Sequence, residues 1–419
     1  MDSGWSMRNT RCKRNSDKNM NIKQIEEKYF MRTYKRGDLI VKKAKDQFVW
    51  DENGKKYLDF FSGIGVCNVG HCNDSVLRAA KEQLDSFAHA SNLYYVPSQI
   101  KLGEELTKRI FPDGRVFFSN SGAEANECAI KLARKWGFLN SSEKNVHRYE
   151  IICFKNSFHG RTMATLSATG QEKFHKFFNP LQEKFVFAEI NDIESVKKLV
   201  NKKTVAIMIE PIQGEGGLIP SKKPFLEELR MLCDEGNFLL IFDEIQCGMG
   251  RTGKFCAFEN YDVSPDIVTL AKSLANGLPL GAVVAAKKCA ETFVYGDHGS
   301  TFGGSPVSCA AALEVLNIIS PKFLNDSLKV AEYLFLKLED FKKKYSIVKG
   351  VRGLGLMLGI DLAINGSSIV NYCLDNGLLI NCVHDTVLRL LPPLIITKED
   401  VDFAVKVLSK SLNYSLVTK

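Results

Sequence analysis

Short apolar runs alternate with amphipathic stretches through the middle of the chain. The runs consist mainly of strand-forming residues and lie at positions 116–118, 151–154, 205–209, 238–242 and 267–271. Their length is typical of buried strands. Apolar residues recur at helical spacing from Ala125 to Trp136, and positions 225–233 have a helical pattern as well. Strands that alternate with helices predict an α/β fold with a mostly parallel central sheet and helices on both faces.

The two ends of the chain differ in pattern from its middle. Residues 1–20 are polar and lack periodicity, so we expect a disordered extension there. Positions 52–54 carry a turn signal between two short strand-like runs, which predicts a hairpin. After residue 300, helices and shorter strands predominate, with a glycine-rich turn and strand at 350–359. We therefore expect a large domain at 59–300 and a small C-terminal domain at 301–419.

Composition excludes several classes of protein. The chain has 419 residues, of which 45% are hydrophobic and 25% charged, as in ordinary globular proteins. Its net charge of +8 is spread along the sequence rather than gathered into a basic stripe, so nucleic-acid binding is not expected. No apolar run approaches the roughly 18 residues of a membrane span, so we expect no membrane association.

The cysteines indicate the compartment. All twelve are dispersed, no C-x-x-C pair occurs, and an apolar signal-peptide core is missing. We expect reduced thiols and a cytoplasmic location. Cys67, His71 and Cys72 lie close together, but a second ligand pair at zinc spacing is missing, so no metal site is expected.

Lys272 stands at the end of the apolar run at 267–271. Burial penalises an ammonium, so a lysine in an apolar site has its pKa lowered from about 10.4 and presents the neutral amine that Schiff-base chemistry needs. Most lysines that follow a strand point into solvent instead. This position alone leaves both interpretations open.

Other polar residues follow the neighbouring runs, at the sheet edge where open α/β folds bind ligands. Ser121, with Glu124 three residues later, has the pattern of a capping box, and Gly122 lets an anion such as phosphate approach backbone N–H groups. Glu210 and Asp243 end buried strands, where a carboxylate requires a cation or a donor such as a pyridinium N–H. A plain capped helix and a salt bridge are the structural alternatives.

A third group follows the run at 151–154. The ring of Phe158 could stack on a planar cofactor, and the Arg161 guanidinium could hold a carboxylate through two parallel hydrogen bonds. Singly these side chains are typical of core packing and surface charge. Together with the strand-end residues they predict a site for a phosphate, a flat ring and an acid.

Two nucleotide-binding motifs are incomplete. Residues 248–254 fit G-x-x-x-x-G-K after a strand, but Phe255 stands where a P-loop requires Ser or Thr for magnesium. Gly353, Gly355 and Gly359 lack the Rossmann spacing. The sequence therefore does not favour nucleotide binding.

Six segments follow one another along the chain: SGAEANE, SFHGRT, EPIQGEGG, FDEIQCGMGRTG, TLAKSLANGLPLGA and HGSTFGGSP. In this order they resemble the class III aminotransferases, which are fold type I enzymes that use pyridoxal 5′-phosphate. The resemblance extends from about Asp46 to the C-terminus, and within the group CGMGRTG and HASN are most similar to acetylornithine aminotransferases. It implies a smaller α+β domain built from the C-terminus and from an N-terminal segment, residues 21–58.

The resemblance implies a role for each residue that matches a family motif. Lys272 would bind the cofactor aldehyde covalently and then move the proton of the reaction, while Asp243 would keep the pyridine nitrogen protonated. Gln246 would bond the ring hydroxyl. With the phosphate-binding and stacking positions, the implied cofactor-binding residues are Ser121, Gly122, Ala123, Phe158, Glu210, Asp243, Gln246, Lys272 and Thr301.

The resemblance also implies a homodimer with shared active sites. Thr301 would reach the phosphate bound by the other subunit, and Ser300 would lie near the substrate. Arg161 would hold one substrate carboxylate and Arg389 a second. Glu215 matches the position that pairs with this second arginine in ornithine-type relatives, so we expect it to neutralise Arg389 when the amino donor is bound and to release it for 2-oxoglutarate.

The implied reaction is a ping-pong transfer of a terminal amino group to 2-oxoglutarate. The donor would be N-acetylornithine or a similar ω-amino acid, and the products glutamate and a semialdehyde, as in arginine biosynthesis. An ornithine or 4-aminobutyrate aminotransferase, an aminomutase that needs no oxo-acid acceptor, and a catalytically silent protein remain as alternatives. The segment at 71–75 and Ser305, which replaces an asparagine of the family, depart from the pattern near the expected dimer interface.

Overall fold

The computed structural model describes residues 20–141 and 147–417, so the predicted extension at 1–20 lies, apart from Met20, outside the described residues. The chain divides into two compact units, one reaching to Ile40 and one beginning at Val41. In the first unit, helix α1 (Ile22–Tyr29) has Asn21 as its N-cap. The side chains of Asn21 and Gln24 each accept a hydrogen bond from the other's backbone N–H, which makes a capping box.

The second unit contains both strands and helices. Its strands are β1 (Val41–Lys45), β2 (Phe48–Asp51), β3 (Lys56–Asp59), β4 (Arg115–Ser119), β5 (Glu150–Phe154), β6 (Phe185–Ala188), β7 (Thr204–Ile209), β8 (Ile212–Gln213), β9 (Ile219–Pro220), β10 (Leu239–Asp243), β11 (Ile267–Leu270), β12 (Gly281–Ala285), β13 (Val348–Leu354), β14 (Met357–Leu362), β15 (Leu378–Leu379), β16 (Asn381–Val383) and β17 (Val387–Leu390).

Its α-helices are α2 (Ser62–Gly65), α3 (Asp74–Ser86), α4 (Pro97–Ile110), α5 (Gly122–Leu139), α6 (Met163–Ala168), α7 (Glu172–His175), α8 (Ile193–Lys197), α9 (Lys223–Glu235), α10 (Pro306–Ile318), α11 (Pro321–Lys344), α12 (Ser367–Asp375) and α13 (Lys398–Val417). Two short 3₁₀ helices are Ala257–Asn260 and Lys272–Ala275.

The central sheet has seven strands in the order β4-β12-β11-β10-β7-β5-β6. All are parallel except β12, which is antiparallel to both of its neighbours. Side chains alternate between two faces: Ile151 and Cys153 pack with α5 on one, whereas Ile152 and Phe154 pack with α9 on the other. Helices α4 and α10 cover the β11–β12 part of that second face. The predicted mostly parallel sheet with helices on both faces is confirmed.

Two smaller sheets surround the C-terminal core. One is antiparallel, β13-β14-β17-β16, and the other is β1-β2-β3-β15, in which the predicted hairpin joins β2 to β3. Leu58 and Phe60 belong to the same apolar core as residues of α11, α12 and α13. The smaller α+β layer is thus built from both early and late segments of the chain. The boundaries expected at residues 58 and 300 stay predictions.

The described residues contain no single helix that is both long enough and apolar enough to cross a membrane, although α10 and α11, bent by 71°, meet these criteria as a pair. The eleven described cysteines are free thiols.

Candidate active site

The carboxyl ends of the central strands open into a cavity of about 420 Å³. Its walls come from the segments that directly follow β4, β5, β7, β10 and β11. Ten of the predicted site residues line it: Ser121, Gly122, Ala123, Phe158, Arg161, Glu210, Glu215, Asp243, Gln246 and Lys272. The parallel sheet brings these residues together because the carboxyl ends of its strands share one edge.

Lys272 lies two residues after the end of β11, where the chain turns into a 3₁₀ helix. Its backbone is in the left-handed region, with φ of 39°, which is uncommon for a residue with a side chain. The side chain lines the cavity and is partly buried. Burial lowers the pKa of Lys272, and although the charges of Asp243 and Glu215 oppose this effect, the pKa stays below its usual value. The neutral amine is therefore favoured compared with an exposed lysine.

Asp243 ends β10 and is almost fully buried, with 3% of its surface exposed. Its Oδ2 accepts hydrogen bonds from Asn126 Nδ2 at 2.7 Å and from His159 Nδ1 at 2.8 Å, while Oδ1 accepts from the Ile245 N–H at 3.1 Å. Burial opposes protonation of His159, but the hydrogen bond to Asp243 outweighs it and raises the histidine pKa. The carboxylate is thus fixed in place and faces the cavity.

Two other strand-end carboxylates have different surroundings. Glu210 accepts the N–H groups of Phe158 at 2.9 Å and Gly214 at 3.2 Å, and its burial raises its pKa to about 7. Glu244 accepts the N–H groups of Ala257 and Phe258 at 2.6 and 2.8 Å, and burial raises its pKa to about 8. Glu210 therefore joins two cavity loops, whereas Glu244 holds the start of a 3₁₀ helix outside the cavity.

Helix α5 begins at the cavity with Ser121 as its N-cap, and the Ser121 hydroxyl accepts the Glu124 N–H at 3.2 Å. The second half of the predicted capping box is wrong, because the Glu124 carboxylate accepts the N–H of Asn120 rather than that of Ser121. The first helical N–H groups, those of Gly122 and Ala123, have no acceptor within the helix. They and the helix dipole suit an anion such as phosphate.

Arg161 lies on the exposed side of the cavity. Its guanidinium lies 3.9 Å from the ring centre of Phe174 and 5.5 Å from that of Phe158. These rings orient the cation without neutralising it. No carboxylate of the described segments forms an ion pair with Arg161, so the guanidinium is available to a carboxylate ligand.

Arg389 is a strand residue of β17 and is only 2% exposed. Its Nη1 donates to Glu215 Oε1 at 2.5 Å, and its Nε donates to Asn381 Oδ1 at 3.1 Å. Burial raises the pKa of a carboxyl, but the Arg389 guanidinium outweighs this effect and lowers the pKa of Glu215. Glu215 lines the cavity and Arg389 does not, so the ion pair meets the cavity through its carboxylate.

Ser300 and Thr301 lie elsewhere. They line a second cavity of about 1000 Å³ together with His89 and Asn92, and Asn92 Nδ2 donates to the Ser300 carbonyl at 2.8 Å. Asn120 Nδ2 donates to Ser300 Oγ at 3.2 Å and links the two cavities. Within one chain, Thr301 therefore does not join Lys272 at the first cavity.

Sequence reasoning gave no role to Asn126 or His159, the two side chains that hold Asp243. Asn126 is fully buried on α5 and also donates to the His159 carbonyl at 2.7 Å. A polar residue within an otherwise apolar helical stripe is the signal that could have identified it, because such a residue requires a buried partner.

The donors and acceptors around the cavity fit pyridoxal phosphate. Gln246 is 7% exposed, and its Oε1 is buried without a hydrogen-bond partner, so a ligand hydroxyl in the cavity could donate to it. The N–H groups at the start of α5 suit the phosphate of this cofactor. The Lys272 amine suits its aldehyde, and the fixed Asp243 carboxylate suits its protonated ring nitrogen. The described residues contain no group of three or more potential metal ligands.

Comparisons with known proteins agree with this geometry. Residues 29–412 match the family described as Aminotransferase class-III. Acetylornithine aminotransferase of Methanocaldococcus jannaschii is 49% identical over 92% of this chain and 96% of its own, and that of Caldanaerobacter subterraneus is 47% identical over 93% and 98%. The crystal structure of ornithine aminotransferase from Toxoplasma gondii superimposes with a TM-score of 0.91 at 30% identity, covering 96% of this chain and 97% of that one.

Proposed function

The chain belongs to the class III aminotransferase family, and on this premise we propose that it transfers the terminal amino group of N-acetylornithine to 2-oxoglutarate. The products are glutamate and a semialdehyde, as in arginine biosynthesis, and the cofactor is pyridoxal 5′-phosphate. The observation that carries this proposal is the single cavity in which Lys272 and Asp243 meet the N-terminus of α5. The 49% identity to an acetylornithine aminotransferase supports the choice of donor.

Pyridoxal phosphate supplies an aldehyde that accepts the amino group and a ring that withdraws electrons from the reacting carbon. Lys272 provides a neutral amine, because burial lowers its pKa, and its Nζ can take up a proton and return it at another atom. Asp243, fixed by Asn126 and His159, holds a proton on a ring nitrogen through its negative charge.

The remaining residues hold the ligands. The N–H groups of Gly122 and Ala123 would hold the phosphate, and Phe158, which lines the same cavity, would pack against the ring. Arg161 binds the carboxylate that both substrates carry. The second carboxylate of 2-oxoglutarate goes to Arg389 once Glu215 has moved away, whereas N-acetylornithine leaves the Glu215–Arg389 ion pair closed.

We also propose a cytoplasmic homodimer in which Thr301 completes the site of the partner subunit. Support comes from the position of Thr301 on the second cavity, whose surroundings include the exposed side chains of Leu93 and Tyr295. An apolar surface of this kind is typical of an interface. Light scattering after size-exclusion chromatography should give the mass of two chains, and the mass of one chain would contradict the dimer.

A half-reaction screen tests the donor. The purified cofactor-loaded protein is mixed with N-acetylornithine, ornithine or 4-aminobutyrate in the absence of an oxo acid, and the cofactor absorbance is followed in a stopped-flow instrument. N-acetylornithine should react at least about tenfold faster than the others, which is within the range that pocket contacts give. A faster reaction with ornithine would favour the second candidate, an ornithine aminotransferase, to which the chain is similar in structure.

A further inference from the structure

Arg251 is the largest side chain in the described interior that is completely buried, with 0% of its surface exposed. It follows β10 in the segment GMGRTG. Its Nη1 donates to the carbonyls of Leu356, at 3.0 Å, and Pro392, and its Nη2 donates to Asn68 Oδ1. One guanidinium therefore joins three segments that are far apart in the sequence.

No carboxylate in the described parts of the chain forms an ion pair with Arg251, its acceptors are all neutral, and its Nε has no partner. Burial lowers the pKa of Arg251 to about 9, so the side chain is still charged near neutral pH. An unpaired buried charge is a poor means of stabilising a fold, because an apolar side chain of similar volume often serves as well. Its contacts indicate a different purpose.

Two of the three segments lead to the Glu215–Arg389 ion pair. Pro392 lies three residues after Arg389, directly beyond the end of β17. Leu356 lies in the turn between β13 and β14, and its N–H donates back to the Arg251 carbonyl at 3.0 Å.

The β13–β14 hairpin reaches Glu215 from the other side. Arg352 of β13 donates from Nε to the Gly217 carbonyl at 2.7 Å, two residues after Glu215. The hairpin turn fits closely against Arg251, since a Cβ on Gly355 would lie 2.6 Å from the Arg251 carbonyl oxygen. Both partners of the ion pair are thus connected to one guanidinium.

The third segment belongs to the cavity wall. Asn68 lies two residues after Val66, which lines the cavity, and Asn68 Nδ2 donates to the Met249 carbonyl at 2.9 Å. Arg251 itself is eight residues beyond Asp243. Arg251 therefore connects the side of the cavity formed by the ends of the central strands to the side next to the sheet β13-β14-β17-β16.

We propose that Arg251 is a positioning residue for the Glu215–Arg389 pair, which it fixes relative to the strand-end side of the cavity. This inference rests on the proposed function, because it assigns Arg389 to the second carboxylate of a substrate. Arg251 touches neither substrate nor cofactor and acts through Arg389.

Binding of unreactive acids tests the proposal. Glutarate has two carboxylates with the spacing of 2-oxoglutarate, and butyrate has one. Their affinities for the cofactor-loaded full chain are measured by titration calorimetry with wild type and Arg251→Met. We expect Arg251→Met to weaken glutarate binding about tenfold and to leave butyrate binding within about twofold, a difference of about 1.4 kcal/mol. Arg251→Lys, which keeps the charge but not the planar fork, should act in the same direction and serves if the methionine variant does not fold.

A double-mutant cycle with Arg389→Lys separates positioning from a general structural role. If Arg251 acts through Arg389, Arg251→Met should weaken glutarate binding little further in the Arg389→Lys background. Three results would each overturn the inference. Arg251→Met could weaken glutarate and butyrate binding equally, or the losses in the double-mutant cycle could be additive. The third result is a glutarate affinity that does not differ between Arg251→Met and wild type, which includes the case in which neither protein binds glutarate. Failure of the proposed function would appear instead as absent amino transfer by the wild-type protein, because these titrations involve no turnover.

Discussion

The strand-end edge of the central sheet and the Glu215–Arg389 ion pair serve the same cavity but are built differently. At the edge, Lys272 and Asp243 lie within two residues of the ends of neighbouring parallel strands. The ion pair joins the loop between β8 and β9 to strand β17 of the sheet β13-β14-β17-β16, and its two residues are 174 positions apart in the sequence. On the proposed function, the first region acts on every substrate, whereas the second distinguishes substrates by whether they carry a second carboxylate. Changes in the first should therefore slow both half-reactions alike, and changes in the second should affect the two half-reactions differently.

The largest effect should follow from Lys272→Ala. On the proposed function, this change would remove both the amine that binds the cofactor aldehyde and the group that moves the proton, and turnover should fall by at least about 10⁴-fold, the upper range for proton transfer by a positioned side chain. Rates with N-acetylornithine and 2-oxoglutarate measure the loss, and the melting temperature should change little. Lys254→Ala, at an exposed position outside the cavity, is the control. Substantial residual turnover in Lys272→Ala would move the chemistry elsewhere.

The adjacent carboxylates Asp243 and Glu244 allow a sharper test of the edge. Asp243→Asn keeps the shape but removes the charge facing the cavity, and it should lower both half-reaction rates by about 10²–10³-fold, as loss of an electrostatic stabiliser does. Glu244→Gln places an amide against one of the two backbone N–H groups that the carboxylate accepts. It should lower the melting temperature with little change in the rate per folded molecule. Equal kinetic losses in both variants would contradict this division.

A smaller and selective effect should follow from Glu215→Ala in the second region. Without the carboxylate, the Arg389 charge faces an amino donor that has no second carboxylate to offer. The half-reaction with N-acetylornithine should slow by about tenfold, and the KM for 2-oxoglutarate should fall, because the arginine no longer has to be released. Stopped-flow rates for each half-reaction measure the split. Unchanged rate constants in both half-reactions would contradict the gate.

The smallest effect concerns His71, which lies outside both regions and whose Nε2 bonds Asp59 Oδ2 at 2.7 Å. Although burial favours the neutral ring, the hydrogen bond to Asp59 and the neighbouring Cys67 side chain together raise the pKa of His71 to about 10. Because this pKa lies above the usual value of 6.5, the stabilisation is complete below about pH 6.5 and is lost as the pH rises through about 10.

The thermal midpoint of the wild type should therefore fall across this alkaline interval. His71→Asn should show a shallower decline and unchanged half-reaction rates at pH 7.5. The two proteins can be compared by differential scanning fluorimetry at half-unit pH steps, and parallel curves would exclude the contribution of this pair.

The sequence pattern was sufficient to predict the central sheet and to place at one edge the polar residues that follow its strands, whose roles stay predictions. The strand ends at Ser119, Asp243 and Leu270 fall within two residues of the ends of apolar runs. The polar residues that follow these strands share one edge of the sheet, because the carboxyl ends of parallel strands lie at the same edge. Local patterns of this kind need no knowledge of distant contacts.

Other features depended on tertiary structure. Asn126 has a role only because α5 places it against Asp243, and the neutral acceptors of Arg251 come from three distant segments. The incomplete capping box at Ser121 shows the same limit, since the position of the Asn120 N–H decided where the Glu124 side chain bonds. Ser300 and Thr301 are placed on a cavity of their own, and no local pattern predicts that.

The lowered pKa of Lys272 also has a practical consequence for counting intact sites. Among the described lysines whose pKa departs from the usual value, Lys272 alone has it lowered. In protein freed of its cofactor, a small amine-reactive aldehyde should therefore label this lysine first at neutral pH, because only the unprotonated amine is nucleophilic. The number of labels per chain, measured by mass spectrometry, would then give the fraction of chains in a preparation whose Lys272 site is intact.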